Sequence, residues 1–195
     1  MGNLLKARVQ VEGVRPCLWH HFGPDAIPLE KSEKTGVAGN DPEEWRRTVL
    51  MTKDRQLYLE PSYVFAAVRD GARYTKKGRG SIQPAVAATL QVTDNLILVD
   101  RFVPEEPIPQ DPELPVYLDV RMVRNPSTKA RNVRYRVAAS TGWRLDFNLL
   151  WDKTIVSRGE MEASVIDAGR LSGVGNARAI GYGRYKVLAF EVGEE

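Results

Sequence analysis

The sequence predicts an α+β domain with a β-α-β-β-α-β core, the ferredoxin-like arrangement, carrying inserted β-hairpins. Three observations predict it. Residues 4–14, LLKARVQVEGV, set Ala7, Val9 and Val11 against Lys6, Arg8 and Gln10, the alternation of a strand with one buried face. Residues 61–74, PSYVFAAVRDGARY, place Val64, Ala67, Val68, Gly71 and Ala72 at helical spacing, a narrow face of small residues suited to close packing. Ser157-Arg158-Gly159-Glu160 is a capping-box pattern, each side chain satisfying an orphan N–H of the other residue. It opens a second helix through Leu171, with Met161, Val165 and Ala168 inward, and a last strand follows from Tyr182 to Val192.

The remaining elements follow in chain order. Residues 15–40 are rich in Gly and Pro and show no period, which reads as a long surface loop. Asp41-Pro42 suits a helix start, with Asp as N-cap and Pro at the first helical position. Residues 56–59 form a short extended piece, and Pro61 opens the first core helix. The basic tail TKKGRG follows it. Residues 86–92 and 96–101 read as a hairpin turning at Thr93-Asp94-Asn95. Residues 103–115, VPEEPIPQDPELP, hold five prolines and four acidic residues. Proline withholds N–H groups from a ladder, so this is an acidic connector inside a single domain spanning 1–195. Three strand-like runs come next, at 116–123, 132–138 and 143–150. The first two form a basic β-hairpin over 116–138, with Val133, Tyr135 and Val137 on one face and Arg134 and Arg136 on the other.

Composition narrows the function. The chain has 195 residues, 43% of them hydrophobic, enough for a core. Its one cysteine, Cys17, excludes an intrachain disulfide and suits a reducing cytoplasm. No apolar run approaches a membrane span, so no membrane partner is expected, and the N-terminus lacks a signal-peptide layout. Net charge is only +3, but half of the 28 basic residues fall in 73–79, 121–136 and 170–187, which contain no Asp or Glu. The rest of the chain carries 14 basic against 25 acidic groups, a net of −11. Clustered charge of one sign points to a polyanionic partner.

Three segments carry that charge. In the hairpin, Arg121, Arg124, Lys129, Arg131, Arg134 and Arg136 have no acid among them. Arg134 and Arg136 stand roughly 7 Å apart by strand rise, close to one phosphate repeat of an extended strand. Lys76, Lys77 and Arg79 form a second patch, which as a helix end also suits the dipole. The third segment, GVGNARAIGYGRYKV, holds Gly173, Gly175, Gly181 and Gly183 around Arg178, with Arg184 following. It follows a helix and opens a strand, the reverse of a dinucleotide fingerprint, and it lacks the Gly-Lys-Ser/Thr of a P-loop. Glycines here allow close backbone approach to phosphate oxygens, or simply a tight return.

A helix, a Gly-rich loop and Gly-Tyr-Gly-Arg leading into a final strand resemble the C-terminal signature of the RAMP superfamily, the RRM-like proteins of CRISPR antiviral defence. Residues 48–69, TVLMTKDRQLYLEPSYVFAAVR, resemble that family's extended segment, turn and first helix, with Glu60-Pro61-Ser62-Tyr63 at the turn. The resemblance covers 48–72 and 157–187. It implies a non-catalytic protein binding single-stranded RNA, ahead of DNA, and assembling along it as an oligomer or with other subunits. A stand-alone or phage-borne relative fits as well. Some relatives cleave RNA through a histidine, and some use an aspartate after the first strand. His20, His21 and Asp25 occupy that loop, so a metal-independent endonuclease using His20 or His21 is the alternative. Trp19 and Phe22 beside them suit stacking on a base. Cys17, His20 and His21 have no fourth Cys or His, so neither a metal site nor a cofactor is expected.

Overall fold

The computed structural model describes residues 2–24, 40–124, 127 and 129–194. Strand β1 (Leu4–Gly13) alternates as its sequence requires, with Ala7, Val9 and Val11 buried. It pairs antiparallel with β10 (Arg144–Asp152) on one edge and with β11 (Tyr185–Glu194) on the other. On the far side of β10 lie β6 (Gln91–Val92), β7 (Ile97–Phe102) and then β3 (Gln56–Leu59). The order β11-β1-β10-β7-β3 is that of an antiparallel ferredoxin-like sheet extended by one strand.

Helices α2 (Pro61–Gly71) and α4 (Arg158–Asp167) cover the inner face. Pro61 stands in the first turn of α2, and Val64, Ala67, Val68 and Gly71 are its buried face. Gly71 is required there: a Cβ would lie 2.4 Å from the Ser164 carbonyl of α4. The capping box of Ser157 and Glu160 is present, and Met161, Val165 and Ala168 are buried. Phe147, Trp143 and Trp151 fill the core. The Trp143 ring lies where a Cβ of Gly13 would stand, and its Nε1 donates to the Arg15 carbonyl at 2.8 Å.

Residues 86–101 are not a hairpin. Ile82, Val86 and Leu90 are buried at a spacing of four, and helix α3 (Gln83–Thr89) forms on that period. Strands β6 and β7 both run antiparallel to β10, so they are one interrupted strand. Asp94, expected in a turn, fills the interruption by accepting from the backbone and side-chain amides of Asn148 at 2.6 and 2.8 Å.

Two shorter corrections follow. Helix α1 (Glu44–Thr48) starts later than Asp41-Pro42, although Asp41 still accepts the Glu43 N–H at 3.0 Å as a capping side chain does. The tail after α2 is a small hairpin, β4 (Lys76–Lys77) and β5 (Gly80–Ser81).

A second sheet stands beside the first, in the order β2 (Cys17–Leu18), β9 (Arg131–Ala139), β8 (Val116–Arg124). The start of the expected surface loop is therefore core: Cys17, Leu18 and Trp19 are buried. The connector 103–115 has no regular element, and Val103 and Ile108 anchor it in the core.

Candidate nucleic-acid interface

The β8–β9 hairpin divides into a buried base and an exposed end. At the base, Tyr117 and Asp119 of β8 face Ala138 and Arg136 of β9. The glycine-rich segment lies across that face. Asn176 bridges to Leu18, and Ala177 and Tyr182 pack on the cluster of Leu18, Tyr117 and Ala138. Arg136 is thereby only 5% exposed. Its Nη2 donates to Asp119 Oδ2 and its Nη1 to Asn176 Oδ1, each at 2.9 Å.

The expectation that Arg134 and Arg136 share a free solvent face is corrected. The pleat was right, but a distant segment covers the face at Arg136. Arg134 is paired with Glu44, a buried carboxylate of α1 that also accepts the Tyr135 N–H and lies 3.1 Å from His20 Nε2. Burial pushes the Glu44 carboxyl up, but these hydrogen bonds outweigh it and hold the group below its ordinary value. Arg121 donates to Asp119 Oδ1 at 2.6 Å and stacks over the Tyr182 ring at 5.1 Å.

The hairpin end differs. Residues 121–124 are all exposed, with Met122 at 64%. Arg124 and Arg131 stand directly opposite each other in register, and neither has a side-chain partner among the described residues. Like charges at opposed positions repel. Arg121 and Arg134 are also opposed, but each has its own carboxylate. Lys129 adjoins this end with a left-handed backbone, φ +59°.

The glycines divide by role. A Cβ on Gly183 would lie 1.8 Å from the Val174 carbonyl, and one on Gly173 2.6 Å from that of Tyr182. One on Gly175 would lie 2.8 Å from both Cys17 Sγ and the Leu18 carbonyl. All three therefore close the protein on itself. Gly181, at φ +94°, has open space where a Cβ would stand. Arg178 is held by the protein itself: its Nη1 donates to Ser172 Oγ at 3.1 Å and reaches Asp70 Oδ2 at 3.4 Å. Asp70 also holds Arg69 and Arg73, so one carboxylate serves three guanidiniums. Arg184 enters β11 without a side-chain partner among the described residues.

The third patch stays apart. Lys77 reaches Glu160 at 3.7 Å and the Ile155 carbonyl at 3.2 Å, at the N-terminal end of α4, whereas the glycine segment leaves the C-terminal end. A ten-residue helix, about 15 Å long, separates them. Lys76 and Arg79 are exposed.

The two histidines diverge. His20 faces Glu44, while His21 Nδ1 lies 3.1 Å from the Tyr63 hydroxyl and its Nε2 3.8 Å from Glu60. Trp19 is buried, with its indole N–H donating to the Tyr58 carbonyl at 2.8 Å, and Phe22 is 74% exposed. Asp25 lies outside the described residues. Among the described residues no group of His, Cys, Asp and Glu is placed to hold a metal ion.

The open face of the main sheet carries ion pairs: Arg8 with Asp146 at 2.6 Å, and Arg144 and Lys186 with Glu12 at 2.5 and 2.7 Å. Its central strands β1 and β10 present no aromatic side chain there. Base stacking on a sheet face, the RRM mode, needs such side chains. The charge available to a ligand therefore lies beside the sheet. No helix is long and apolar enough to cross a membrane.

No family model matches the sequence, and no curated protein matches it. Among solved structures, the chain is similar to a chain in the cryo-electron microscopy structure of the type III-B Cmr-beta complex bound to cognate target RNA. The identity is 11% and the TM-score 0.46, over 97% of this chain and 60% of that one. This chain thus spans three fifths of its neighbour's length, and the likeness is a weak one in chain path.

Proposed function

We propose that this protein binds single-stranded nucleic acid, without cleaving it, through the exposed end of the β8–β9 hairpin. The observation that carries the reading is the opposed pair Arg124 and Arg131, with no counter-ion among the described residues. Their repulsion is relieved when a phosphate sits between them. Met122, 64% exposed two residues before Arg124, offers an apolar surface to a base. Such contacts need unpaired, splayed bases, which favours a single strand. RNA is placed ahead of DNA, and assembly along the strand with other subunits or copies is included, on the family resemblance read from the sequence.

The test is binding of labelled single-stranded RNA, single-stranded DNA and duplex at several salt concentrations, with the products checked for cleavage. Affinity should fall steeply with salt. The double variant Arg124→Ala/Arg131→Ala should bind more weakly, with the salt slope flatter by about 1.4, roughly 0.7 per phosphate contact on a single strand. An unchanged slope and affinity refute the hairpin as the binding surface.

One observation favours a second reading, the endonuclease. Glu44 orients His20, and Arg134 stands on the same carboxylate. A histidine so held can take a proton from a 2′-hydroxyl. Cleavage of single-stranded RNA that disappears in His20→Ala while binding persists would establish it.

A further inference from the structure

Three loops meet beside the start of β11. Tyr185 pairs with Gly13 at the end of β1, and the N–H groups of Val14 and Arg15 donate to the Arg184 carbonyl at 2.8 and 3.2 Å. The π-helical segment Ala168–Ser172 that continues α4 is pressed against the same point: a Cβ on Gly169 would lie 2.3 Å from the Tyr185 carbonyl. These contacts fix Arg15, Arg170, Arg184 and Lys186 around one open pocket of about 560 Å³. Val14, Leu171, Gly181 and Tyr185 complete its lining, which includes no carboxylate.

The charges in this pocket are unusually poorly compensated. Most arginines in the described structure hold a carboxylate, but Arg15, Arg170 and Arg184 have no side-chain partner among the described residues. Lys186 is held by Glu12 at 2.7 Å, and that carboxylate also serves Arg144. Glu162 lies beyond Arg170, along the neighbouring groove between α4 and β11. Arg184 Nη1 is buried without any acceptor. An unsatisfied buried N–H of a cation is costly, and a rotamer change toward an anion in the pocket would satisfy it. Gly181 lines the same pocket and leaves its mouth unobstructed.

We infer that this pocket binds a phosphate group. The cations supply guanidinium forks and an ammonium, the donors that suit tetrahedral oxyanions. Only the source of the phosphate, a bound strand or a free small molecule, rests on the proposed function.

The experiment titrates inorganic phosphate into the full chain at fixed ionic strength, followed by calorimetry and by ³¹P line broadening. Saturable binding is expected, weakened at least tenfold in Arg170→Gln/Arg184→Gln and unchanged in the charge-matched Lys53→Gln/Arg158→Gln, two exposed cations outside the pocket lining. Arg15→Gln/Arg170→Gln, which alters two exposed side chains, serves if Arg184 proves necessary for folding. No saturable binding, or equal binding by folded pocket variants, overturns the inference. Two further arms use single-stranded RNA of one sequence with and without a 5′-phosphate. Loss of affinity for both in the pocket variants assigns a backbone phosphodiester, and loss for the phosphorylated strand alone assigns a terminal phosphate. Phosphate binding that persists when no RNA binds assigns a free phosphate compound, and then the proposed function fails while the pocket stands.

Discussion

Removing the Asp119 carboxylate should destabilise the fold far more than removing a surface charge. Asp119 is 4% exposed and accepts from Arg136 at 2.9 Å and from Arg121 at 2.6 Å. In Asp119→Ala the Arg136 guanidinium stays buried, with only Asn176 as partner and Nε unsatisfied. Breaking a buried pair from one side costs about 3–5 kcal/mol. For a chain of this size each kcal/mol lowers the melting temperature by roughly 2–4 °C, so a fall of about 6–20 °C is expected. Replacing both partners with apolar residues, Asp119→Leu/Arg136→Met, should recover most of it, since no charge is left stranded. The assay is thermal and urea unfolding of the two single variants and the double, read as a mutant cycle, with RNA binding measured on each. The double variant should bind as the natural protein does, because Arg136 is structural. A loss below about 1 kcal/mol in Asp119→Ala, or tenfold weaker binding by a fully folded double variant, would refute the reasoning.

The glycines should separate in the same unfolding assay. Gly183→Ala must move the Val174 carbonyl and should cost at least about 2 kcal/mol, whereas Gly181→Ala pays only for its backbone conformation, about 1 kcal/mol. Equal losses would show that the segment is not packed as described. Glu44→Gln should be less stable than the natural protein at pH 7. Its carboxyl titrates below the ordinary 4.5 when folded, so its stabilisation is complete above that value and disappears as pH falls through the lower one. The deficit of the variant should therefore shrink in acid, and a deficit constant down to pH 3 contradicts the assignment. Burial pushes the Cys17 thiol up to about 12, so an aromatic disulfide reagent should react with it only after denaturation.

The core was legible wherever a period and a punctuation residue agreed. The alternation of β1, Pro61 at the head of α2 and the capping box of α4 are local signals, and each stands where the sequence placed it. The segment 82–92 misled because Val86 and Leu90 satisfy a strand run and a helix face equally, and only burial of Ile82 on the same side decides between them. The second sheet depends on Cys17 and Leu18 pairing with Ala139 and Ala138, a contact across more than a hundred residues that no local pattern announces.

The candidate site was legible as residue types but not as free charge. A segment without acids looks unpaired in sequence, yet its counter-ions arrive from outside it: Asp119 from two residues before the acid-free stretch 121–136, Glu44 from α1, Asp70 from α2. Each carboxylate takes arginines out of the reckoning for a ligand, because a guanidinium already held in a buried pair gives up that pairing before it gains a phosphate. Beyond scattered exposed cations such as Lys76, Arg79 and Arg158, what remains is a smaller set brought together in two places. Arg124 and Arg131 oppose each other at the hairpin end, and Arg15, Arg170 and Arg184 converge beside β11. Of these five only Arg15 lies outside the three basic segments, and only the turn after β1 and the π-helical segment after α4 bring it to Arg170. Where this protein can hold an anion is thus set by which cations the fold leaves without a partner, not by which segments hold the most of them.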